Sequence, residues 1–179
     1  MKVNLESALN SLKYGKVIAY PTETTFGLGC DAFNEQALEQ LCKIKHRDVN
    51  KGFIVLINNL EQLEQLVVPL PADKLAYLAK VWPAAITFTM PARASLPKSL
   101  TGEHNSIAIR MSSHPIANAL CSSNPITSTS ANYSGEPVLT DADEIVKRFG
   151  SAIAGVIAEP PGEQPPSQII NLLTGERYR

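Results

Sequence analysis

Residues 17–45 read VIAYPTETTFGLGCDAFNEQALEQLCKIK, and this stretch decides the fold. Val17-Ile18-Ala19-Tyr20 is a short apolar run, and Pro21 removes a backbone donor, so a strand should stop there and a polar loop begin. Beyond Gly27 and Gly29, Asn34 is a good helix cap. Ala37, Leu38, Leu41 and Ile44 then share one helical stripe that should end near Lys45. Strand, polar loop and amphipathic helix make one α/β unit.

The same alternation extends outward. Leu5, Ala8, Leu9 and Leu12 are helically spaced, with Asn4 to cap the start and Gly15 to end a helix of about Leu5 to Tyr14. Downstream, Phe53 to Ile57 is a buried strand, Leu60, Leu63 and Leu66 mark a short amphipathic helix, and Leu75, Leu78 and Trp82 mark another halted by Pro83. Strands are expected at Ile86 to Met90, Ile107 to Met111 and Pro125 to Thr127, with a helix opened by Pro115 between the last two. Thr140-x-x-Asp143 resembles a capping box ahead of Ile145, Val146 and Phe149. Val156 to Ala158, Ile169 to Leu172 and Glu176 to Tyr178 read as closing strands. Alternation of this kind predicts an α/β protein with a mixed sheet, and no repeat or low-complexity tract divides residues 1–179 into more than one domain.

Composition removes several functional classes. With 179 residues, 44% of them hydrophobic and 18% charged, the chain is large and apolar enough to bury a core without disulfides or structural metal. The net charge of −1 lacks the global basic excess of a typical nucleic-acid binder, although a local basic patch stays open. The aliphatic run Phe53 to Ile57 is too short to span a bilayer. Asn4 and Glu6 interrupt what would be the apolar part of a secretory signal, so a cytoplasmic location is expected. Cys30, Cys42 and Cys121 form no zinc-spaced set and read as reduced core thiols. Walker-type, dinucleotide-binding and His-Glu-x-x-His motifs are missing from the sequence.

Four polar clusters fall at the ends of expected elements, where open α/β sheets gather ligand groups. Residues 21–31 carry Thr22, Thr24 and Thr25 with Gly27 and Gly29; they suit a small polar ligand or a turn that satisfies its own backbone. Lys45, Arg47 and Lys51 gather cations at a helix end; they suit phosphate or carboxylate, or a solvated cap that complements the helix dipole. Ser106 to Ser112 delivers Arg110 at the carboxyl end of a strand, suited to bidentate grip of a carboxylate or phosphate, or to an internal ion pair. Residues 127–135 set Thr127, Ser128, Ser130, Asn132 and Ser134 after a strand, as phosphate donors or as a serine-rich turn.

Together these clusters resemble the YrdC family, and within it the single-domain threonylcarbamoyl-AMP synthases. The resemblance runs through Tyr20-Pro21-Thr22-Glu23-Thr24 and Gly27 to Asp31, then Lys45-x-Arg47-x-x-x-Lys51 and Trp82-Pro83 with Thr87. It continues through Leu100-Thr101-Gly102, Ser106 to Arg110, Ser130-Ala131-Asn132-x-Ser134-Gly135 and Ser167-Gln168-Ile169. It implies a twisted open mixed sheet with flanking helices around a concave basic cavity. It also implies a nucleotidyltransferase reaction in which L-threonine, bicarbonate and ATP give threonylcarbamoyl-AMP and pyrophosphate, for modification of tRNA next to the anticodon. Lys45, Arg47, Lys51, Ser106, Ser130 and Asn132 are then the expected ATP ligands, and Thr24, Arg110, Ser128 and Ser167 the expected threonine ligands. Charge stabilisation falls to Lys45, Arg47 and Lys51, with no nucleophilic side chain.

Mg²⁺ is expected with ATP, although no acidic pair presents itself as its ligand, and no tightly bound cofactor is expected. RNA or tRNA is a further expected ligand, and the final transfer belongs to separate proteins. This chain departs from the family at Ala84-Ala85 after Trp82-Pro83, at Leu56 where longer members carry histidine, and at Gln168. It also lacks the longer members' second domain, which leaves its own loops or tail, with Arg177 and Arg179, to close the site. The competing readings are a non-catalytic RNA-binding or ribosome-assembly module and a carbamoyl-transfer module.

Overall fold

The computed structural model describes residues 1–179. Its elements run α1 (Leu5–Lys13), β1 (Ile18–Pro21), β2 (Phe26–Gly29), α2 (Glu35–Lys45), β3 (Ile54–Ile57), α3 (Leu63–Leu66), α4 (Ala72–Val81), β4 (Ile86–Pro91), α5 (Lys98–Thr101), β5 (Ser106–Met111), α6 (Pro115–Leu120), β6 (Ile126–Ser130), α7 (Ala142–Phe149), β7 (Gly155–Val156) and β8 (Gln168–Asn171). The strands form one eight-stranded sheet in the order β7-β1-β2-β6-β3-β5-β4-β8. The pairs β1–β7, β3–β5 and β4–β8 are parallel and the other four antiparallel, so the sheet is mixed as expected.

Local chemistry sets the helix ends. Asn4 caps α1 by accepting from Ser7 N at 2.9 Å. Gly15 (φ 67°) closes it, with Gly15 N on Leu12 O (2.9 Å) and Lys16 N on Ser11 O (3.0 Å) in the paired bonds of a Schellman turn. The same turn ends α2, with His46 N on Lys43 O (3.1 Å) and Arg47 N on Cys42 O (3.0 Å). There the left-handed residue is His46, at φ 49°, where glycine is usual.

Three expectations are corrected and one element is added. The polar loop after Pro21 is a tight turn, and Phe26–Gly29 returns as a strand with Ile18 opposite Gly29 and Pro21 opposite Phe26. Two glycines in four residues disguised it, because glycine is a poor strand former. Here their missing side chains admit the Tyr20 ring: a Cβ on Gly29 would lie 2.1 Å from Thr127 O and 3.0 Å from Tyr20 Cε1. The Thr140 capping box does not form, because the Asp141 carboxylate caps α7 instead, accepting from Asp143 N (2.8 Å) and Glu144 N (3.0 Å). Glu176 to Tyr178 supplies one isolated bridge, Arg177 to Ile170, folded back on β8, and no strand of its own. The single turn α5 was too short to show helical periodicity.

Alternation along the strands divides the core between two faces. Val17, Ala19, Val55, Ile57, Ile107 and Ile109 face the larger core, whereas Ile18, Tyr20 and Leu56 face a smaller one shared with Ala8 and Leu12 of α1 and Ile116 and Leu120 of α6. Leu56 lies opposite Arg110, and Ile54 opposite both Ala108 and Ser128. The face that α1 and α6 cover at one end therefore carries Arg110, Ser128 and small residues toward the other. That change from apolar to polar along one face places the site.

Candidate active site

A cavity of 690 Å³ opens on this face. Its wall includes Arg47, Lys51, Arg110 and Arg179 and not one Asp or Glu, so a chain of net charge −1 concentrates positive charge here. Five buried side-chain nitrogen or oxygen atoms lack a hydrogen-bond partner: Thr25 Oγ1, Arg47 Nε, Thr89 Oγ1 and Arg110 Nε on the wall, and Glu23 Oε1 beside Arg110. Buried polar groups are normally paired, so their confinement here marks a surface made for a polar, anionic ligand.

Of the expected site residues, Thr24, Arg47, Lys51, Ser106, Arg110, Ser128, Ser130 and Ser167 meet on the cavity wall. Lys45 and Asn132 do not. Lys45 is 2% exposed, and its Nζ donates to the Ser130 carbonyl and to Asn132 Oδ1 (2.6 Å). Ser134 N returns a bond to Lys45 O (2.9 Å), and the His46 and Tyr133 rings stack at 4.8 Å. These contacts fasten the 130–134 loop to the end of α2, and the stack offsets the cost of a non-glycine residue at positive φ. Burial, with Arg47 adding to it, lowers the Lys45 pKa to about 8.

The Schellman turn carries Arg47 out of the line of α2. Its Nη2 donates to Gly52 O (2.9 Å) and its guanidinium lies 5.2 Å from the centre of the Phe53 ring, which fixes the planar group at the cavity edge. Burial also lowers its pKa, although the group stays charged. Lys51 follows on a single 3₁₀ turn, Val49–Lys51, and is exposed. Cations at two depths suit a chain of phosphates better than one small anion.

Across the cavity, Arg110 is 5% exposed and Glu23 4%. Arg110 Nη1 lies 3.2 Å from Glu23 Oε1, and Glu23 Oε2 accepts from Ser112 Oγ. Arg110 is thus both a wall cation and half of an internal ion pair. The threonine cluster likewise does both things. Thr22 Oγ1 donates to Thr25 O (2.7 Å) and accepts from Thr24 N and Thr25 N (both 3.2 Å), so it satisfies its own turn, and all three threonines line the cavity.

Sequence reasoning missed Thr89, His104 and Gln164 and undervalued Arg179. Thr89 was signalled by the Thr-x-Thr alternation at 87–89, which puts both hydroxyls on the cavity face. Gln164 belongs to a proline-rich strap that crosses Thr22 and Glu23, with Gly162 N on Thr22 O (2.8 Å) and Gln164 N on Glu23 O (3.1 Å). Arg179 Nε donates to Ser167 O (3.0 Å) and Nη2 to Ser167 Oγ (3.3 Å), which brings the last side chain to the wall. Arg177 does not reach it. No three His, Cys, Asp or Glu residues come together to hold a metal, and no helix is long and apolar enough to cross a membrane.

Residues 10–179 match the Sua5/YciO/YrdC family model, whose description reads "Telomere recombination". Threonylcarbamoyl-AMP synthase of Coxiella burnetii (strain RSA 493 / Nine Mile phase I) is 40% identical over 179 residues, covering 98% of this chain and 96% of that protein. The protein of the same name from Shigella boydii serotype 4 (strain Sb227) is also 40% identical, over 98% and 94%. Among solved structures, P. abyssi Sua5 complexed with L-threonine superposes with a TM-score of 0.87 at 30% identity. That alignment covers 99% of this chain and 54% of the other, so the chain spans about half the length of Sua5. E. coli YciO gives a TM-score of 0.80 at 25% identity, over 97% and 89%.

Proposed function

The chain belongs to the Sua5/YciO/YrdC family, and from that membership and the charge of its cavity we propose that residues 1–179 form one catalytic unit, a threonylcarbamoyl-AMP synthase. The reaction joins L-threonine and bicarbonate, with loss of water, to an N-carboxylated threonine, whose new carboxylate attacks the α-phosphate of ATP. Threonylcarbamoyl-AMP forms and pyrophosphate leaves, which makes the enzyme a nucleotidyltransferase. The product supplies threonylcarbamoyl-adenosine next to the anticodon of tRNA through separate transfer proteins.

The observation that carries this reading is the pairing of two cationic regions on one wall without a carboxylate between them. Arg47 and Lys51 face the phosphates, Ser106 and Ser130 add donors, and Lys45 and Asn132 hold the Ser130 loop from behind. Arg110 takes the α-carboxylate of threonine, with Thr24, Ser128 and Ser167 around the rest of the amino acid. Both reactants are anions, so fixed cations and oriented donors suppress their repulsion and stabilise charge on the transferring phosphoryl group. An ionised carboxylate is already the nucleophile, so no side chain has to be activated for that attack. Mg²⁺ finds no carboxylate on the wall, and it enters as part of the nucleotide.

A non-catalytic RNA-binding module would use the same rim cations. It gives no role to an arginine that is 5% exposed in the cavity, because the phosphates of structured RNA remain outside. RNA bound at the rim is compatible with catalysis within. The test is pyrophosphate release from ATP with bicarbonate, with and without L-threonine, alongside chromatography of the nucleotide product. Threonine-dependent pyrophosphate and a labile adenylate are expected; no turnover, with tight salt-sensitive RNA binding, would establish the binding module instead.

A further inference from the structure

We infer that Glu23 is a positioning residue for the carboxylate subsite: it holds Arg110 by Nη1 and leaves the opposite edge of the guanidinium to the ligand. The inference rests on the reading that Arg110 takes the carboxylate of the amino-acid substrate. Glu23 is absent from the cavity wall, so it acts through Arg110 rather than on the substrate.

The Nη1 atom of Arg110 lies 3.2 Å from Glu23 Oε1 as an ion pair without a hydrogen bond, Nε is buried without a partner, and no hydrogen bond within the protein engages Nη2. Those two nitrogens form the side edge of the guanidinium, whose parallel N–H bonds match the two oxygens of one carboxylate. Glu23 is itself fixed at both ends. Its Oε2 accepts from Ser112 Oγ, and its backbone carbonyl accepts from Gln164 N at 3.1 Å. The strap lies so close that a Cβ on Gly162 would be 2.3 Å from Glu23 O. One acid thus ties the Arg110 fork to the strap that brings Gln164 and Ser167 to the same cavity.

Charge and geometry make opposite forecasts for loss of this acid. If Glu23 acted only by its field, removing its negative charge would strengthen capture of an anion at Arg110. If it acts by holding the fork, its loss frees a buried guanidinium to turn toward solvent or another acceptor, and capture weakens. The sign of the change separates the two.

The experiment is steady-state pyrophosphate release by the full chain, with threonine and ATP varied in turn, for wild type, Glu23→Gln and Ser112→Ala. Glu23→Gln is expected to raise the threonine KM by about tenfold while the ATP KM and kcat stay within about twofold. A lower or unchanged threonine KM would overturn the inference, as would an equal rise in both KM values, which marks a merely structural role. Should Glu23→Gln fail to fold, Ser112→Ala serves, with an expected rise of about threefold in the threonine KM alone; no rise overturns the inference. Wild type without threonine-dependent release would remove the proposed function itself, and with it a subsite for Glu23 to organise. That failure appears before any variant is compared.

Discussion

Lys45 Nζ stands 2.6 Å from Oδ1 of Asn132 and donates also to the Ser130 carbonyl, so one buried cation holds the Asn132 side chain and the Ser130 backbone of the Ser-x-Asn turn from behind. Its charge reaches the cavity through that turn. Burial lowers its pKa from 10.5 to about 8, so raising the pH through 8 removes the charge while the amine still donates. Two consequences have opposite sign. Affinity for ATP should fall as the pH rises through about 8, because a positive charge behind the phosphate donors is lost. Stability from this group should rise between about 8 and 10.5, where the unfolded chain binds the proton and the folded chain does not. Titrating a nonhydrolysable ATP analogue between about pH 6.5 and 9.5 should show this inflection in wild type and none in Lys45→Met. An identical inflection in the variant would assign the titration to another group.

Arg47 combines charge with a fixed plane, through Gly52 O at 2.9 Å and the Phe53 ring at 5.2 Å. Truncation to alanine removes a charge-assisted contact of about 1.5–3 kcal/mol, so the ATP KM should rise by roughly tenfold to a hundredfold. Arg47→Lys keeps the charge without the fork or the stacking, and its KM should lie between the two. Lysine performing as well as arginine would show that only the charge matters.

The repeated alternation of strand and helix was readable because each unit carries its own apolar period and its own cap, as Asn4 and Asn34 illustrate. Strand β2 escaped because its glycines are explained by the Tyr20 ring, a contact with the neighbouring strand that no window along the chain contains. Candidate site residues were readable where charge or hydroxyls cluster in sequence. The direction of a side chain was not. Lys45 and Arg47 are two residues apart, yet a left-handed turn at His46 sends one into the protein and the other to the cavity edge. The pairing of Glu23 with Arg110 spans 87 positions and depends on the sheet order alone.

Tyr20 crosses the glycines of β2, and its hydroxyl donates to Thr127 O at 2.8 Å in a fully buried setting. Tyr20→Phe leaves that carbonyl without the phenolic donor and should cost about 1–3 kcal/mol in urea unfolding, with an unchanged slope. Gly29→Ala should cost more, because its Cβ would meet Thr127 O at 2.1 Å, where backbone cannot give. Equal stability of Gly29→Ala and wild type would mean that the two strands can separate without loss.

Cys30, Cys42 and Cys121 are free and buried, and burial pushes the Cys30 and Cys121 thiols up to about 12. Few thiolates exist at neutral pH and the reagent has no direct access, so labelling of these two should require opening of the fold. A disulfide reagent should modify them at a rate set by unfolding, and all three at once in denaturant. Fast labelling of Cys30 or Cys121 in the native protein would contradict the packing around them.

Arg177 and Arg179 separate two roles for the tail. Arg179 lines the cavity and donates to Ser167 O and Oγ, whereas Arg177 is exposed and donates only to the Arg179 carbonyl, at 3.1 Å. If the tail supplies charge to the site, Arg179→Ala should raise the ATP KM by about tenfold, with Arg177→Ala within about twofold of wild type. If the tail only closes the edge of β8, the variants should instead share a loss of stability and leave both KM values alone. Arg179→Lys distinguishes further: a lysine keeps the charge but cannot span the carbonyl and hydroxyl of Ser167 together, so it should restore ATP affinity only in part.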